Sequence, residues 1–293
     1  MSQPEAWTIL RLLTWTADFL KGHGSENPRL DAEVLLAAAK GCERIMLYAA
    51  FDQVVADDVR AKFRELVKRR AAGVPVAYLI GHREFYSLKL TVTPDVLIPR
   101  PETEFVVIAA LDHLKALPAS AVPPLVADVG TGSGAIALAI AKHAPTCRLT
   151  ALDISPAALA VAQANAAALG VAEQVEFVTS DLLAALPAEP HYAVIASNPP
   201  YIAESELAAM SPQVKDHEPR LALVAGPTGS EVIARLIPQA AERLLPKGLL
   251  VLEISPQLAP RVVELIARDS RFEPATVTKD LANLPRVVRA VRN

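Results

Sequence analysis

Cysteine is scarce in this 293-residue chain: there are two, Cys42 and Cys147, far apart and with no CxxC or histidine-rich company. That excludes a disulfide framework and a zinc module. The 6 histidines are scattered without ligand spacing, so no metal is expected. There is no basic excess either, since 29 Lys and Arg stand against 32 Asp and Glu for a net charge of −3. A protein that grips the nucleic-acid backbone usually needs a basic surplus or stripe. No stable nucleic-acid partner is therefore expected, although a local basic patch passes this test. No apolar run reaches the length of a membrane span, because charge, glycine or proline breaks the alanine-rich stretches. The opening MSQPEAWTILRLL lacks the basic region and small-residue cleavage site of a signal peptide. The expectation is a cytoplasmic chain with no membrane partner. What is abundant is apolar: 52% hydrophobic against 21% charged residues, enough for one large domain and a smaller one and too much for disorder.

Residues 1–73 read as a small helical domain. Ser2 and Glu5 have the spacing of a capping box and Pro4 suits a first turn. Ile9, Leu10, Leu13, Ala17 and Leu20 then form a helical stripe that Gly22 and Gly24 stop. Asn27-Pro28 opens a second helix carrying Ala32, Leu35, Leu36 and Ala39 on one side, and a short apolar segment follows at 45–48. A longer helix from Asp57 to Gly73 places Val59, Phe63, Leu66 and Val67 on one face. Arg60, Lys62, Arg64, Lys68, Arg69 and Arg70 occupy its other side, a solvated face first and a docking surface second. Residues 74–94 read as a linking hairpin, with Leu88, Leu90 and Val92 alternating with Lys89 and Thr91 after a strand or turn at Phe85-Tyr86-Ser87.

In residues 95–293, Pro99, Pro101, Glu102 and Glu104 open a helix to Leu117, after which strands and helices alternate. Strands are expected at 125–129, 148–152, 175–178, 192–196 and 249–254. The helices fall at 135–143, 155–170, 230–245 (with Pro238 inside) and 256–268. Such units imply an α/β fold, a parallel sheet with helices on both faces. The last two runs, 275–278 and 287–291, have no helix between them and suggest an antiparallel hairpin at the sheet's edge.

Gly130-Thr131-Gly132-Ser133-Gly134 follows the first of these strands and precedes its helix, where an open sheet binds nucleotides. Side chains there would block close approach of a ligand to the backbone. Asp153, just past the next strand, can accept hydrogen bonds from both hydroxyls of a ribose. Because Gly130, Gly132 and Ala135 also satisfy the relaxed dinucleotide fingerprint, the loop alone leaves NAD and S-adenosylmethionine both open. Asp181, after the third strand, stands where a loop could contact an adenine, or serves as a turn-capping residue.

Asn198-Pro199-Pro200-Tyr201 favours the second cofactor. Two prolines cannot extend a ladder and instead fix a rigid loop at the carboxyl edge of the sheet. The Asn198 side-chain oxygen and the Pro199 carbonyl match the two N–H bonds of a planar NH2 group, and Tyr201 offers a flat wall. An amide nitrogen is a poor nucleophile, and its attack on a sulfonium methyl moves positive charge onto it. Two fixed acceptors stabilise that charge and orient the lone pair.

Together Gly130–Gly134, Asp153 and Asn198–Tyr201 resemble class I S-adenosylmethionine-dependent methyltransferases that act on planar nitrogens of adenine, guanine or protein glutamine. Residues 97–104 (Leu-Ile-Pro-Arg-Pro-Glu-Thr-Glu), 75–81 (Pro-Val-Ala-Tyr-Leu-Ile-Gly) and Arg83-Glu84-Phe85-Tyr86 narrow the resemblance, as do His217-Glu218-Pro219-Arg220 and Leu221-Ala222-Leu223. Over essentially the whole chain they are similar to the peptide-chain release factor N5-glutamine methyltransferases, the PrmC/HemK family. The resemblance implies a seven-stranded Rossmann-like methyltransferase sheet with an antiparallel C-terminal hairpin, plus a small N-terminal helical domain that docks substrate. It also implies that Gly130, Thr131, Gly132, Ser133, Gly134 and Asp153 hold S-adenosylmethionine, with Asp181 and Leu182 near its adenine. Leu182 stands where some relatives carry an aromatic. Asn198 and Pro199 would grip the glutamine of the Gly-Gly-Gln motif in class I release factors, with Pro200 and Tyr201 lining the pocket. Arg100 and Glu102 would shape the donor site's entrance or form a helix-start salt network. Two alternatives use the same residues: an rRNA or DNA exocyclic-amine methyltransferase, and a non-catalytic adaptor that binds S-adenosylmethionine.

Overall fold

Thr8 starts the first helix by accepting the N–H of Arg11 on its hydroxyl, which satisfies one of the donors a helix leaves free at its start. The computed structural model describes residues 6–118 and 120–293, so the Ser2–Glu5 capping box lies outside the described residues. Helix α1 (Ile9–Lys21) buries Ile9, Leu12, Leu13 and Leu20. Pro28 in the first turn and a left-handed Gly41 bound α2 (Pro28–Lys40). Then come α3 (Arg44–Tyr48), α4 (Asp57–Ala71) and α5 (Val76–Ile80). Leu13, Leu35, Leu36, Leu47, Phe63 and Val67 share one core. Arg70 corrects the expected basic face. It is 6% exposed, and its Nε lies 2.7 Å from Asp31 Oδ2. Phe63, Val67 and Arg70 fall on one stripe of α4, and the Asp31 carboxylate neutralises the guanidinium that this places inside.

Residues up to Gly81, with Ser211–His217, form one compact unit; His82–Met210 and Glu218–Asn293 form the other. The second unit begins with β1 (His82–Phe85) and β2 (Leu88–Thr91), paired antiparallel. Tyr86 and Ser87 between them both have positive φ, 49° and 60°, the backbone of a two-residue hairpin turn. A single 3-10 turn at Pro101–Thr103 leads into α6 (Glu104–Ala116). Then β3 (Leu125–Val129), α7 (Ala135–His143), β4 (Arg148–Asp153), α8 (Pro156–Leu169), β5 (Val175–Thr179) and β6 (Tyr192–Ser197) alternate. They are followed by β7 (Ile202–Ala203), by α9 (Pro212–Lys215), which belongs to the first unit, and by α10 (Arg220–Leu223) and β8 (Val224–Gly226). The chain closes with α11 (Glu231–Arg243), β9 (Leu244–Glu253), α12 (Ala259–Ala267), β10 (Thr276–Lys279) and β11 (Pro285–Val291).

The 7-stranded sheet has the order β10-β11-β9-β6-β3-β4-β5. Its pairings are parallel from β9 to β5 and antiparallel around β11. Alternation within each strand feeds two cores. Val126, Val194 and Val251 pack with α6 and α7 on one face, while Ala127, Ile195 and Leu250 pack with α11 and α12 on the other. From β3 the chain moves outward through β4 and β5, then returns to β6 on the opposite side of β3. That reversal opens a crevice at the carboxyl ends of β3, β4 and β6. The helix expected over 230–245 ends at Arg243, and Leu244 already belongs to β9, where it pairs with Tyr192. Pro238 sits inside α11.

Candidate active site

The loop after β3 turns sharply because Gly130 and Gly132 adopt φ of 73° and 56°, a region that side chains disfavour. Gly130 and Thr131 donate their N–H groups to the Leu152 carbonyl at 2.8 and 2.9 Å. Gly132 donates to Asp153 Oδ2 at 2.9 Å, and Ser155 donates to Asp153 Oδ1 at 2.9 Å. The acid at the end of β4 thus fastens the glycine loop to the next βα turn, and each oxygen keeps a lone pair for a ligand. A Cβ on Gly130 or Gly132 would meet no heavy atom within 4 Å, so these glycines face open space. Gly134 differs: a Cβ there would lie 2.8 Å from Leu138 Cδ1, so its smallness serves the packing of α7.

Asn198 leaves the end of β6, and its Nδ2 donates to Thr103 Oγ1 at 3.2 Å. Thr103 Oγ1 in turn donates to Glu253 Oε2 at 2.6 Å. The Tyr201 hydroxyl donates to the other oxygen of the same carboxyl, Oε1, at 3.3 Å. Glu253 is the last residue of β9 and is 1% exposed. Burial pushes its pKa up to about 7. Burial, with the neighbouring Glu253 charge, pushes the Tyr201 hydroxyl far up as well, so it stays protonated. One strand over, Ser197 donates its hydroxyl to the Val129 carbonyl at 2.6 Å, tying the end of β6 to the end of β3.

A cavity of about 440 Å3 lies over these strand ends. Of the residues singled out from sequence, Gly130, Thr131, Gly132, Ser133, Asp153, Asp181, Leu182, Asn198 and Pro200 line it. Gly134, Pro199, Tyr201, Arg100 and Glu102 are outside that lining. Arg100 instead donates through Nη2 to both oxygens of Glu218, each at 2.7 Å. Burial raises the Glu218 pKa, while the arginine opposes that rise. The Arg100–Glu218 pair joins the two chain segments, 94–99 and 219–224, that supply much of the lining.

Several contributors were invisible in the sequence. Glu253 carries no local motif, and Thr103, though inside the 97–104 segment, has no role legible there; their partners lie 95 and 150 positions away. Arg235 lines the cavity and pairs with Asp181. Asn165, buried in α8, donates to the Ser133 and Thr91 carbonyls at 2.9 and 3.0 Å and so braces the glycine loop. Asp128 signals itself more openly, as an acid inside an apolar strand. It accepts from Thr131 Oγ1 and the Ala137 N–H, and burial pushes its pKa up to about 7. Among the described residues, no group of His, Cys, Asp and Glu could hold a metal ion, and no helix is long and apolar enough to cross a membrane.

Two family models match: the PrmC N-terminal domain over residues 11–81 and the methyltransferase small domain over 110–217. Among solved structures, the fold is similar to the catalytic domain of hMettl16 in complex with MAT2A 3'UTR hairpin 6. That match has a TM-score of 0.56 and 16% identity, covering 77% of this chain and 81% of that one. The T. thermophilus 16S rRNA N2 G1207 methyltransferase (RsmC) in complex with AdoMet and guanosine matches with a TM-score of 0.54 and 19% identity, over 72% of this chain and 50% of that one. At those identities the likeness concerns the fold. Similarity in sequence is much higher to proteins named release factor glutamine methyltransferase. The one from Rhodopirellula baltica is 47% identical over 98% of this chain and 97% of its own length. That from Koribacter versatilis is 43% identical over 92% and 93%, and that from Moorella thermoacetica 44% over 93% and 94%. With identity of this order from end to end, the chain belongs to the release factor glutamine methyltransferase family.

Proposed function

We propose that this protein transfers the methyl group of S-adenosylmethionine to the side-chain amide nitrogen of the glutamine in the Gly-Gly-Gln motif of class I peptide-chain release factors. The cavity fits the donor. Gly130 and Gly132 present bare backbone to open space, and the Asp153 carboxylate stands fixed beside them by two backbone N–H bonds. In this reading Gly130–Ser133 and Asp153 hold the donor, Asp181 and Leu182 flank its adenine, and Arg100 shapes the entrance through Glu218. Glu102 adds negative charge beside Glu253. When bound, the donor supplies an electrophilic methyl on a sulfonium.

The residues of this chain do the rest. Asn198 Oδ1 and the Pro199 carbonyl accept one amide N–H each, holding the nitrogen's lone pair in line with the methyl–sulfur bond. As positive charge builds on that nitrogen, both oxygens stabilise it more strongly than they stabilise the neutral amide. Tyr201 supports the grip from behind through Glu253. The observation that carries this reading is the Asn198 amide: its NH2 is committed to Thr103, which turns its oxygen into the acceptor. The family's end-to-end identity supplies the substrate class.

A glutamine on an exposed loop offers little area, so affinity has to come from contacts remote from the reacting atom. The helical unit is assigned that docking role, with the exposed Lys62, Arg64, Lys68 and Arg69 of α4 as its basic contacts. The test is to incubate the protein with isotopically labelled donor and either intact release factor or ribosomal RNA, then map the label by mass analysis. One methyl on the Gly-Gly-Gln peptide is expected. Label on RNA alone would replace this reading with the nucleic-acid one.

A further inference from the structure

An asparagine amide can present either its oxygen or its NH2 to a ligand, and the function proposed above requires the oxygen. We infer that Glu253, acting through Thr103, is the positioning residue that locks Asn198 as an acceptor and so selects a primary amide over a carboxylate at the methyl-accepting site. The inference rests on the functional reading above and adds what sets its specificity.

Hydrogen counting gives the direction. An ionised carboxylate accepts and has nothing to donate. Both oxygens of Glu253 face hydroxyls, Thr103 Oγ1 at 2.6 Å and Tyr201 Oη at 3.3 Å, so each hydroxyl spends its one hydrogen on Glu253. Thr103 Oγ1 then offers lone pairs alone, and the Asn198 group 3.2 Å away has to be the donor Nδ2. Oδ1 is left on the other side of the amide, and none of the described residues donates to it. Reversing the chain would require a hydrogen on Glu253. Its placement explains why a single group can control the loop: in the parallel pair of β6 and β9, Ser197 sits opposite Leu252, so Asn198 and Glu253 emerge side by side. The charged groups facing Glu253 are Arg286, which favours its ionised form, and Glu102, which opposes it. A glutamine brings N–H bonds to the Asn198 oxygen, whereas a glutamate would bring lone pairs against it. Discrimination of this kind is strong where buried polar groups would be left unpaired.

Thr103→Val and Thr103→Ser separate the hydroxyl from the shape. With intact release factor, T103V is expected to lose on the order of 10- to 100-fold in kcat with little change in KM, and T103S to recover most of that loss. A release factor carrying Glu in place of the motif's Gln serves as competitor. Its affinity relative to the Gln form should rise in T103V and return to the wild-type ratio in T103S. Wild-type turnover and discrimination in T103V would overturn the inference. Absence of methylation by the wild-type protein would instead sink the functional reading. Orientation is read separately, without substrate, from 15N-asparagine-labelled protein, whose Asn198 side-chain NH2 signal is identified by its loss in Asn198→Ala. Slow hydrogen exchange of that NH2 in wild type and T103S, and fast exchange in T103V, is expected. Equal exchange in all three contradicts the locked amide.

Discussion

The backbone N–H of Gly132 and the Asp153 carboxylate, 2.9 Å apart, join the turn after β3 to the turn after β4, both of which line the cavity. A carboxylate here does two things: it holds the glycine loop in its left-handed path and leaves lone pairs toward the cavity. Asp153→Ala removes both and Asp153→Asn only part. Calorimetry should show donor affinity falling by at least about tenfold for D153A, with a smaller loss for D153N. Unchanged affinity in D153A would place the donor elsewhere.

Gly229, with φ of 80°, packs against the backbone of the Asn198–Tyr201 loop: a Cβ there would lie 2.7 Å from the Tyr201 carbonyl oxygen. Backbone cannot swing aside as a side chain can. Gly229→Ala should therefore displace the Asn198–Tyr201 loop, lowering kcat more than donor affinity and costing about 1–3 kcal/mol of stability. Steady-state kinetics and thermal unfolding check this pair of effects.

Glu253 gives rate and stability opposite pH dependences. Burial raises its pKa from 4.5 to about 7, so the folded protein holds this proton more tightly than the unfolded chain. Its stabilising share is full below about 4.5 and is lost as pH rises to about 7. The polarity Asn198→Thr103→Glu253 needs the ionised form, so kcat should rise with pH along a limb centred on about 7. Glu253→Gln should abolish this limb of the rate profile at a reduced plateau and flatten part of the fall in stability. The remainder persists because Asp128, also raised to about 7 by burial, titrates in the same range. A rate profile in E253Q identical to wild type would exclude Glu253 as the controlling group.

Arg70→Ala leaves Asp31 inside the helical unit without its cation, with the Ser25 hydroxyl still at 2.7 Å. Denaturant unfolding should show a loss of about 3–5 kcal/mol. By contrast, charge reversal at the exposed Lys68 and Arg69 should leave the fold intact and raise KM for intact release factor while sparing a short Gly-Gly-Gln peptide. An unchanged KM would remove the docking role assigned to this face.

Much of the sheet was readable because its central parallel strands are buried on both faces and appear as apolar runs, as in Val126-Ala127 or Leu249–Leu252. The glycine loop and Asn198–Tyr201 were readable because their chemistry is contiguous in the chain. The stretch from 202 to 226 was not: β7 has 2 residues, and its pairing of Ile202 with Val224 spans positions that no local period links. Arg70 misled because a charged residue on a basic helix counts as solvated until Asp31, 39 positions away, is seen beside it. The roles of Thr103 and Glu253 escaped for a similar reason: a threonine within the 97–104 segment and a glutamate ending an apolar strand acquire meaning only when the 3-10 turn before α6 and the pairing of β6 with β9 bring them to Asn198.

The most direct measurement of the central claim is single-turnover methyl transfer to intact release factor by Asn198→Ala, with donor binding followed on the same samples. Donor affinity close to that of the wild type, together with a transfer rate lower by at least about 100-fold, is the predicted outcome. Transfer within a few-fold of the wild-type rate would contradict the assignment of Asn198 as the amide's acceptor.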